Sequence, residues 1–274
     1  MSERVTVRKT YKLFIGGKFP RSESGRSYPV QNANVALSSR KDVRDAVVAA
    51  RTAVKGWAGA TAYNRGQILY RIAEMLEGRR EQFVALGVPA DEVDTATDRW
   101  VWYAGWADKL PQIHGGANPV AGPYFNLSAP EPTGVVGVIA PEQPALLGLV
   151  SVIAPAIVTG NTVVTLTSPT APLAAITLAE ALATSDLPAG VVNLLTGRVA
   201  ETAPTLAAHL DVNALDLTGV TDPQLATDLE IKAAENLKRV LRPVPADHDW
   251  TADPGITRTT ALLETKTVWH PKGA

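Results

Sequence analysis

Hydrophobic positions in the first 110 residues recur with the period of a helix. In Arg40–Trp57 they fall at Val43, Ala46, Val47, Ala50, Val54 and Trp57, a single apolar stripe. Asn64–Val84 repeats the pattern at Ile68, Leu69, Ile72, Met75 and Leu76, with Arg65, Arg71, Glu74, Arg79 and Arg80 on the opposite face. A third helix is predicted over Asp91–Leu110. It carries Trp100, Trp102, Tyr103 and Trp106, a stripe that suits core packing better than a ligand cage. Ahead of the helices, residues 11–30 read as short strands broken by turns, with Gly16-Gly17 as a hairpin signal.

At Gly134 the period changes. GVVGVIAP (134–141) is a β-branched run of the kind found in strands buried on both faces. A Leu-rich helical segment runs to Val158, followed by strand NTVVTLT (161–167), helix 171–184, strand GVVNLLTG (190–197), helix 200–209, strand NALDLTG (213–219), helix 222–234 and strand LKRVL (237–241). Strict β-α alternation with short connections predicts an α/β fold, a doubly wound parallel sheet of about five strands, Rossmann-like. Pro243 and Pro245 end the last strand, because proline gives no N–H to a ladder. Residues 246–257 (ADHDWTADPGIT) read as a polar linker, and 258–269 (RTTALLETKTVW) alternate as one further strand.

Composition narrows the chemistry. The chain has 274 residues, 46% hydrophobic and 19% charged, an ordinary globular mixture. A net charge of −1 supplies no basic field for nucleic acid or an acidic membrane. There is no cysteine, so a disulfide, a thiolate metal site and a cysteine nucleophile are all excluded within this sequence. The four histidines, His114, His209, His248 and His270, are too scattered for a metal-ligating pair. The apolar run over 134–158 is interrupted by Pro141, Pro144 and Pro155, too soon to span a bilayer, and the N-terminus has no apolar signal core; a cytoplasmic protein is expected.

A doubly wound sheet binds ligands at the carboxyl ends of its strands. The residues expected there are the 141–145 turn, the 166–171 loop, Thr196-Gly197-Arg198 and Thr218-Gly219-Val220-Thr221. Gly197 and Gly219 either hold a phosphate on helix N–H groups or only permit the turn; there is no G-x-G-x-x-G and no Walker lysine. Glu142 and Gln143 offer a base and a donor, although a solvated turn explains them as well. Ser151, Ser168 and Ser185 have no adjacent His and Asp.

Several stretches together resemble the aldehyde dehydrogenase superfamily: WYAGWADKL (102–110), EPTGVVGVIAP (131–141), IAPAIVTGNTVV (153–164), LPAGVVNLLTG (187–197), LTGVTD (217–222), AAENLKRV (233–240) and LETKTVW (263–269), all in family order. The resemblance implies N-terminal strands and helices of a cofactor-type domain over 1–117, a flap hairpin over 118–133, a Rossmann-like core over 134–245, a linker over 246–257 standing in place of a catalytic domain, and an oligomerisation strand over 258–274. It also implies where chemistry is lost. The family's oxyanion-holding Asn, in Pro-Trp-Asn-Phe-Pro, aligns with Gln143, one methylene longer. The family's general-base Glu, after Asn-Leu-Lys-Arg-Val, aligns with Pro243. The Lys and Glu that hold the adenosine ribose align with Leu166 and Pro169, or with Thr167 and Thr170. In the phosphate turn Gly-Ser-x-x-x-Gly the Ser becomes Val220 and the second Gly becomes Gln224.

The resemblance therefore implies a chain without catalytic residues and with no cofactor expected; Thr196, Gly197, Thr218, Gly219 and Thr221 are what remains for weak NAD(P) binding. It implies an interface strand presenting Leu262, Leu263, Thr265, Thr267 and Trp269, and, as partner, a full-length aldehyde dehydrogenase subunit that this chain stabilises or regulates. Two alternatives stand beside it: a degenerate nucleotide-binding or regulatory module, and a homomeric structural protein. New chemistry on Glu142, Gln143 or Asp222 is a third.

Overall fold

Short β-branched runs and the helices between them build the frame in this computed structural model, which describes residue 5 and residues 7–272. The N-terminal part contains β1 (Thr10–Tyr11), β2 (Ser27–Val30), β3 (Ala33–Ala36), α1 (Arg40–Gly59), α2 (Ala62–Glu77), α3 (Arg80–Ala85), α4 (Ala90–Trp106) and α5 (Leu110–His114). Next come β4 (Gly116–Asn118), β5 (Tyr124–Pro132), β6 (Val135–Ile139), α6 (Leu147–Val158), β7 (Thr162–Leu166), α7 (Pro172–Leu182) and β8 (Val192–Leu195). The chain finishes with α8 (Val199–Ala208), β9 (Ala214–Asp216), α9 (Pro223–Ala234), β10 (Arg239–Leu241), α10 (Thr257–Ala261) and β11 (Leu263–Pro271).

The central sheet has five parallel strands in the order β10-β9-β6-β7-β8. Every residue of β6, β7, β8 and β9 is buried, which is why these segments read as unbroken apolar runs rather than alternating ones. Val136, Val138, Val163 and Leu194 face one core, shared with α2, α4, α6 and α7 around Trp57, Trp100 and Tyr103. Val135, Ile139, Val164 and Leu215 face the other, covered by α1, α8 and α9. The chain winds from β6 outward to β8, then returns to β9 on the opposite side of β6. The topological switch point therefore lies between β6 and β9.

Local rules account for the element ends. Ser39 caps α1 in a capping box with Asp42, whose carboxylate also accepts from Ser22 Oγ (2.7 Å) and the Glu23 N–H (3.1 Å), tying the N-terminal strands to the helix. Gly16 and Gly17 take φ of +58° and +74° in a tight turn closed by paired Ile15–Lys18 backbone bonds, the hairpin that the Gly pair predicts. The helix expected over 64–84 is two helices, because Gly78 ends α2 and the chain restarts at Arg80. The helix expected over 91–110 likewise stops at Trp106, and Pro111 opens the short α5.

The strand expected over 258–269 needs a correction. Residues 257–261 form the helical turn α10, and the strand proper is Leu263–Pro271. Tertiary contacts override the alternation. Leu262 is fully buried, and its carbonyl accepts from Asn161 Nδ2 (2.9 Å) and the Thr133 N–H (3.3 Å). Leu262 is thus a core residue and does not belong with the outward-facing strand. From Leu263 onward β11 pairs antiparallel with β5 over nine residues, giving a three-stranded sheet in the order β11-β5-β4, separate from the central sheet and from the small β1-β3-β2 sheet.

Between β10 and α10, residues 242–256 form an ordered strap across the carboxyl end of the sheet. Asp249 Oδ1 accepts from the Thr251 N–H and hydroxyl, and Asp253 Oδ1 accepts from the Gly255 N–H, so the strap turns on its own side chains. Arg99 Nη2, from α4, donates to the carbonyls of Trp250 (2.7 Å) and Ala252 (3.1 Å). Arg258 Nη1, from α10, reaches Asp216 Oδ2 (2.5 Å) and Thr218 Oγ1 (2.7 Å), while the Thr218 N–H and hydroxyl both donate to Asp216 Oδ1. Asp216 ends β9 and is 0% exposed, so its charge is held entirely by protein donors.

Arg258→Met strands that carboxylate and is expected to destabilise the fold by about 3 kcal/mol. Adding Asp216→Ala removes the orphaned charge and should restore most of the loss, as read by urea unfolding of the two single variants and the double. A Cβ on Gly219 would meet the Ala140 carbonyl oxygen at 2.0 Å. Gly219→Ala is expected to lower stability by about 2 kcal/mol in the same assay.

Candidate functional site

The crevice beside the switch point is where a fold of this topology places its ligands. Most of its polar groups already have partners within the chain. Thr196 follows β8 and is buried; its hydroxyl donates to the Ala36 carbonyl (2.6 Å), and its own carbonyl accepts the Ser38 N–H (2.9 Å). Gly197 has φ +135°, and a Cβ there would lie 3.1 Å from Leu37 Cδ1 and 3.2 Å from the Ser38 backbone nitrogen. Thr196 and Gly197 thus stitch the N-terminal segment to β8.

The β9 turn behaves similarly. Thr218 is committed to Asp216 and Arg258. Gly219 lies against the backbone of Ala140, the residue just past β6. Val220 is buried in the α9 core. Thr221 alone among these residues is exposed. At the head of α9 the Asp222 carboxylate accepts the Gln224 N–H (2.9 Å), and Pro223 has no N–H to offer. A helix N-terminus already holding a carboxylate has little attraction left for a second anion.

At the end of β7, Thr167 donates to the Leu195 carbonyl (3.3 Å), and Ser168 accepts from the Ala171 N–H (3.2 Å) and pairs with the Thr170 hydroxyl (3.1 Å). Leu166 is buried, and this loop presents no Lys or Glu. After β6, Glu142 and Gln143 are exposed, and neither side chain makes a hydrogen bond among the described residues. The first N–H groups of α6 are taken instead by Glu92 of α4, whose Oε1 accepts from Leu146 (2.7 Å) and Leu147 (3.1 Å). Pro243 lies two residues past β10, at the start of the strap. Among the described residues no group of His, Cys, Asp and Glu is arranged to hold a metal, and no helix is long and apolar enough to cross a membrane.

The residues expected at the interface divide. Leu263 is half-buried, while Thr265, Thr267 and Trp269 are exposed on β11. Trp269, 57% exposed, stands edge-on to Tyr124 at 5.8 Å between ring centroids, and Thr267 bonds Ser128 (2.9 Å). The alternate positions of the same sheet expose Phe125 (55%) and Leu127. Both faces of the β11-β5-β4 sheet therefore carry apolar side chains in solvent.

Sequence reasoning passed over Asp216, Arg258, Arg99 and Glu92, which organise this end of the molecule. One signal was available. Asp216 interrupts a strand that is otherwise apolar, and a charge in a doubly covered sheet requires a partner. Nothing local named Arg258 as that partner, since the two are brought together only by the strap.

Residues 28–244 match the aldehyde dehydrogenase family. The chain is 36% identical over 248 residues to aldehyde dehydrogenase family 2 member B4, mitochondrial, of Arabidopsis thaliana, covering 84% of this chain and 45% of that protein. It is 34% identical over 252 residues to human retinal dehydrogenase 2, covering 85% and 48%. Among solved structures, the NAD+ complex of an aldehyde dehydrogenase from Bacillus cereus superposes with a TM-score of 0.79 at 27% identity, covering 85% of this chain and 50% of the other. HpcC from Thermus thermophilus superposes at 0.78 with 31% identity, covering 85% and 47%. The chain spans about half the length of the relatives it matches. With the family's sequence matched across strands β2 to β10 and its fold reproduced around them, this chain belongs to the aldehyde dehydrogenase family.

Proposed function

We propose that this chain is a non-catalytic member of its family, pairing with a full-length NAD(P)-dependent aldehyde dehydrogenase and stabilising or regulating it. The observation that carries the reading is the connection from β10 to β11. It consists of residues 242–262 alone, folded as the strap and α10 across the carboxyl end of the sheet. The family resemblance puts the general base at Pro243 and a catalytic domain in this interval. The absence of cysteine from the sequence agrees with it, since no thiolate is available for a covalent aldehyde adduct.

The same reading leaves the chain without a bound dinucleotide. Thr196, Gly197, Thr218 and Gly219 are spent on packing, and Asp222 fills the α9 N-terminus. Thr221 is then the single exposed member of the set, too little to orient a pyrophosphate.

Partnering is supported by the small sheet. Phe125, Leu127 and Trp269 are exposed on its two faces, and the outer edge of β11 has no ladder partner among the described residues. Edges and faces of this kind are normally covered. A full-length relative offers such cover, and a second copy of this chain is the competing occupant.

Affinity purification from the native cell followed by native mass spectrometry is expected to give a stoichiometric complex with a cysteine-bearing aldehyde dehydrogenase. A mass made only of this chain would overturn the proposal and favour a homomeric protein. Trp269→Ala should leave the isolated fold intact and weaken the complex by about 2 kcal/mol, roughly thirtyfold in Kd. Calorimetry with NAD, NADP and ATP on the isolated chain is expected to show no saturable heat; saturation would support the nucleotide-module reading instead.

A further inference from the structure

A cavity of about 340 Å³ lies beneath the strap, floored by α4 and α6 and roofed by residues 248–258. We infer that it is a binding site for a small monoanionic carboxylate with an apolar body. The roof lies beyond residue 244, outside the region that matches the family, so the cavity is a product of this chain's own strap.

Three polar groups with unused bonding capacity line it. Arg99 is 6% exposed and has no carboxylate within ion-pair distance among the described residues; Nη2 serves the strap carbonyls, while Nε and Nη1 make no hydrogen bond there. Burial pulls its pKa down, against the opposing pull of Tyr103, Asp253 and Asp249, none of them in contact with the guanidinium; an anion bound directly to it would relieve the desolvation. Ser151 of α6 is buried, and its hydroxyl has no partner among the described residues. Such a group normally carries one. Tyr103, one helical turn after Arg99 on α4, is buried and makes no side-chain hydrogen bond among the described residues. Desolvation pushes its pKa up to about 12, so at neutral pH it is a neutral donor.

A guanidinium and two hydroxyl donors suit a carboxylate, whose two oxygens accept several hydrogen bonds. The remaining charges restrict the ligand to no more than a single negative charge. Arg258 is neutralised by Asp216, and Arg242 pairs with Glu230 (3.2 Å). Asp249 and Asp253 lie at the solvent side of the roof, each bonded within its own turn, and they disfavour a dianion such as a phosphate. Leu241, Trp250 and Ala261 supply apolar wall for the rest of the ligand. The inference does not depend on the pairing proposed above, because the cavity is internal to one chain.

Calorimetric titration of the full chain with benzoate tests it, with benzamide as the neutral isostere. Saturable benzoate binding at millimolar concentration is expected, with no saturation by benzamide. Ser151→Ala removes one donor without touching the strap, and it should weaken benzoate about tenfold. Ser151→Leu fills the cavity and should abolish binding while the chain stays folded by circular dichroism. Equal binding of benzoate and benzamide would overturn the carboxylate assignment. Absence of benzoate binding, or binding that Ser151→Ala leaves unchanged, would overturn the site.

Discussion

The carboxylate of Asp216 sets the terms for this molecule. It sits at the end of a central strand with no access to water, and the cation that reaches it, Arg258, arrives from a segment 42 residues further along the chain. A buried charge of this kind is tolerable only when its partner is in place. The strap must therefore fold back across the sheet for the sheet itself to be stable. Arg99 reinforces the closure from the other side by holding two strap carbonyls, and the Leu262 carbonyl anchors the far end on Asn161. These contacts tie sheet, strap and closing strand to one another.

This closure bears directly on chemistry. In a doubly wound sheet the carboxyl ends of the strands are the natural place for a ligand, since helix N-termini and loop backbones converge there. Here several of those features have internal partners. Glu92 occupies the head of α6, Asp222 that of α9, and the Gly219 backbone is pressed against Ala140. The proposed non-catalytic role follows from the site being spent in this way as much as from any single substitution. What the strap leaves open is a cavity with Arg99 and Ser151 on its walls.

The small sheet presents a complementary problem. Its hydrogen bonding is satisfied along the β5–β11 ladder, and the Arg239–Glu264 and Lys266–Glu131 pairs decorate it, but both faces keep apolar groups in water. Exposed pairs of that sort add little stability. Association that buries Phe125, Leu127 and Trp269 is where the apolar surface of this element is most readily used.

Much of this could be read from the amino acids alone. The β-branched runs of 134–141, 161–167 and 190–197 declared the parallel sheet, because strands covered on both faces have no polar positions to alternate with. The helix stripes located α1, α2 and α4, with ends displaced where Gly78 and Pro111 intervene. The prolines at 243 and 245 marked where the last strand stops, and the absence of cysteine removed thiolate chemistry. The alternation of residues 258–262 is real, but their environment is not that of a strand: Leu262 is pulled into the core, and Arg258 is turned toward Asp216. The fate of Thr196, Gly197, Thr218 and Gly219 was equally hidden, since whether a turn residue faces a ligand or the chain's own backbone depends on what packs against it. Periodicity and residue type record local preference and burial, and so they determined the class of the fold. Which distant groups meet at the strand ends is settled by long-range packing, and only the tertiary structure decided that.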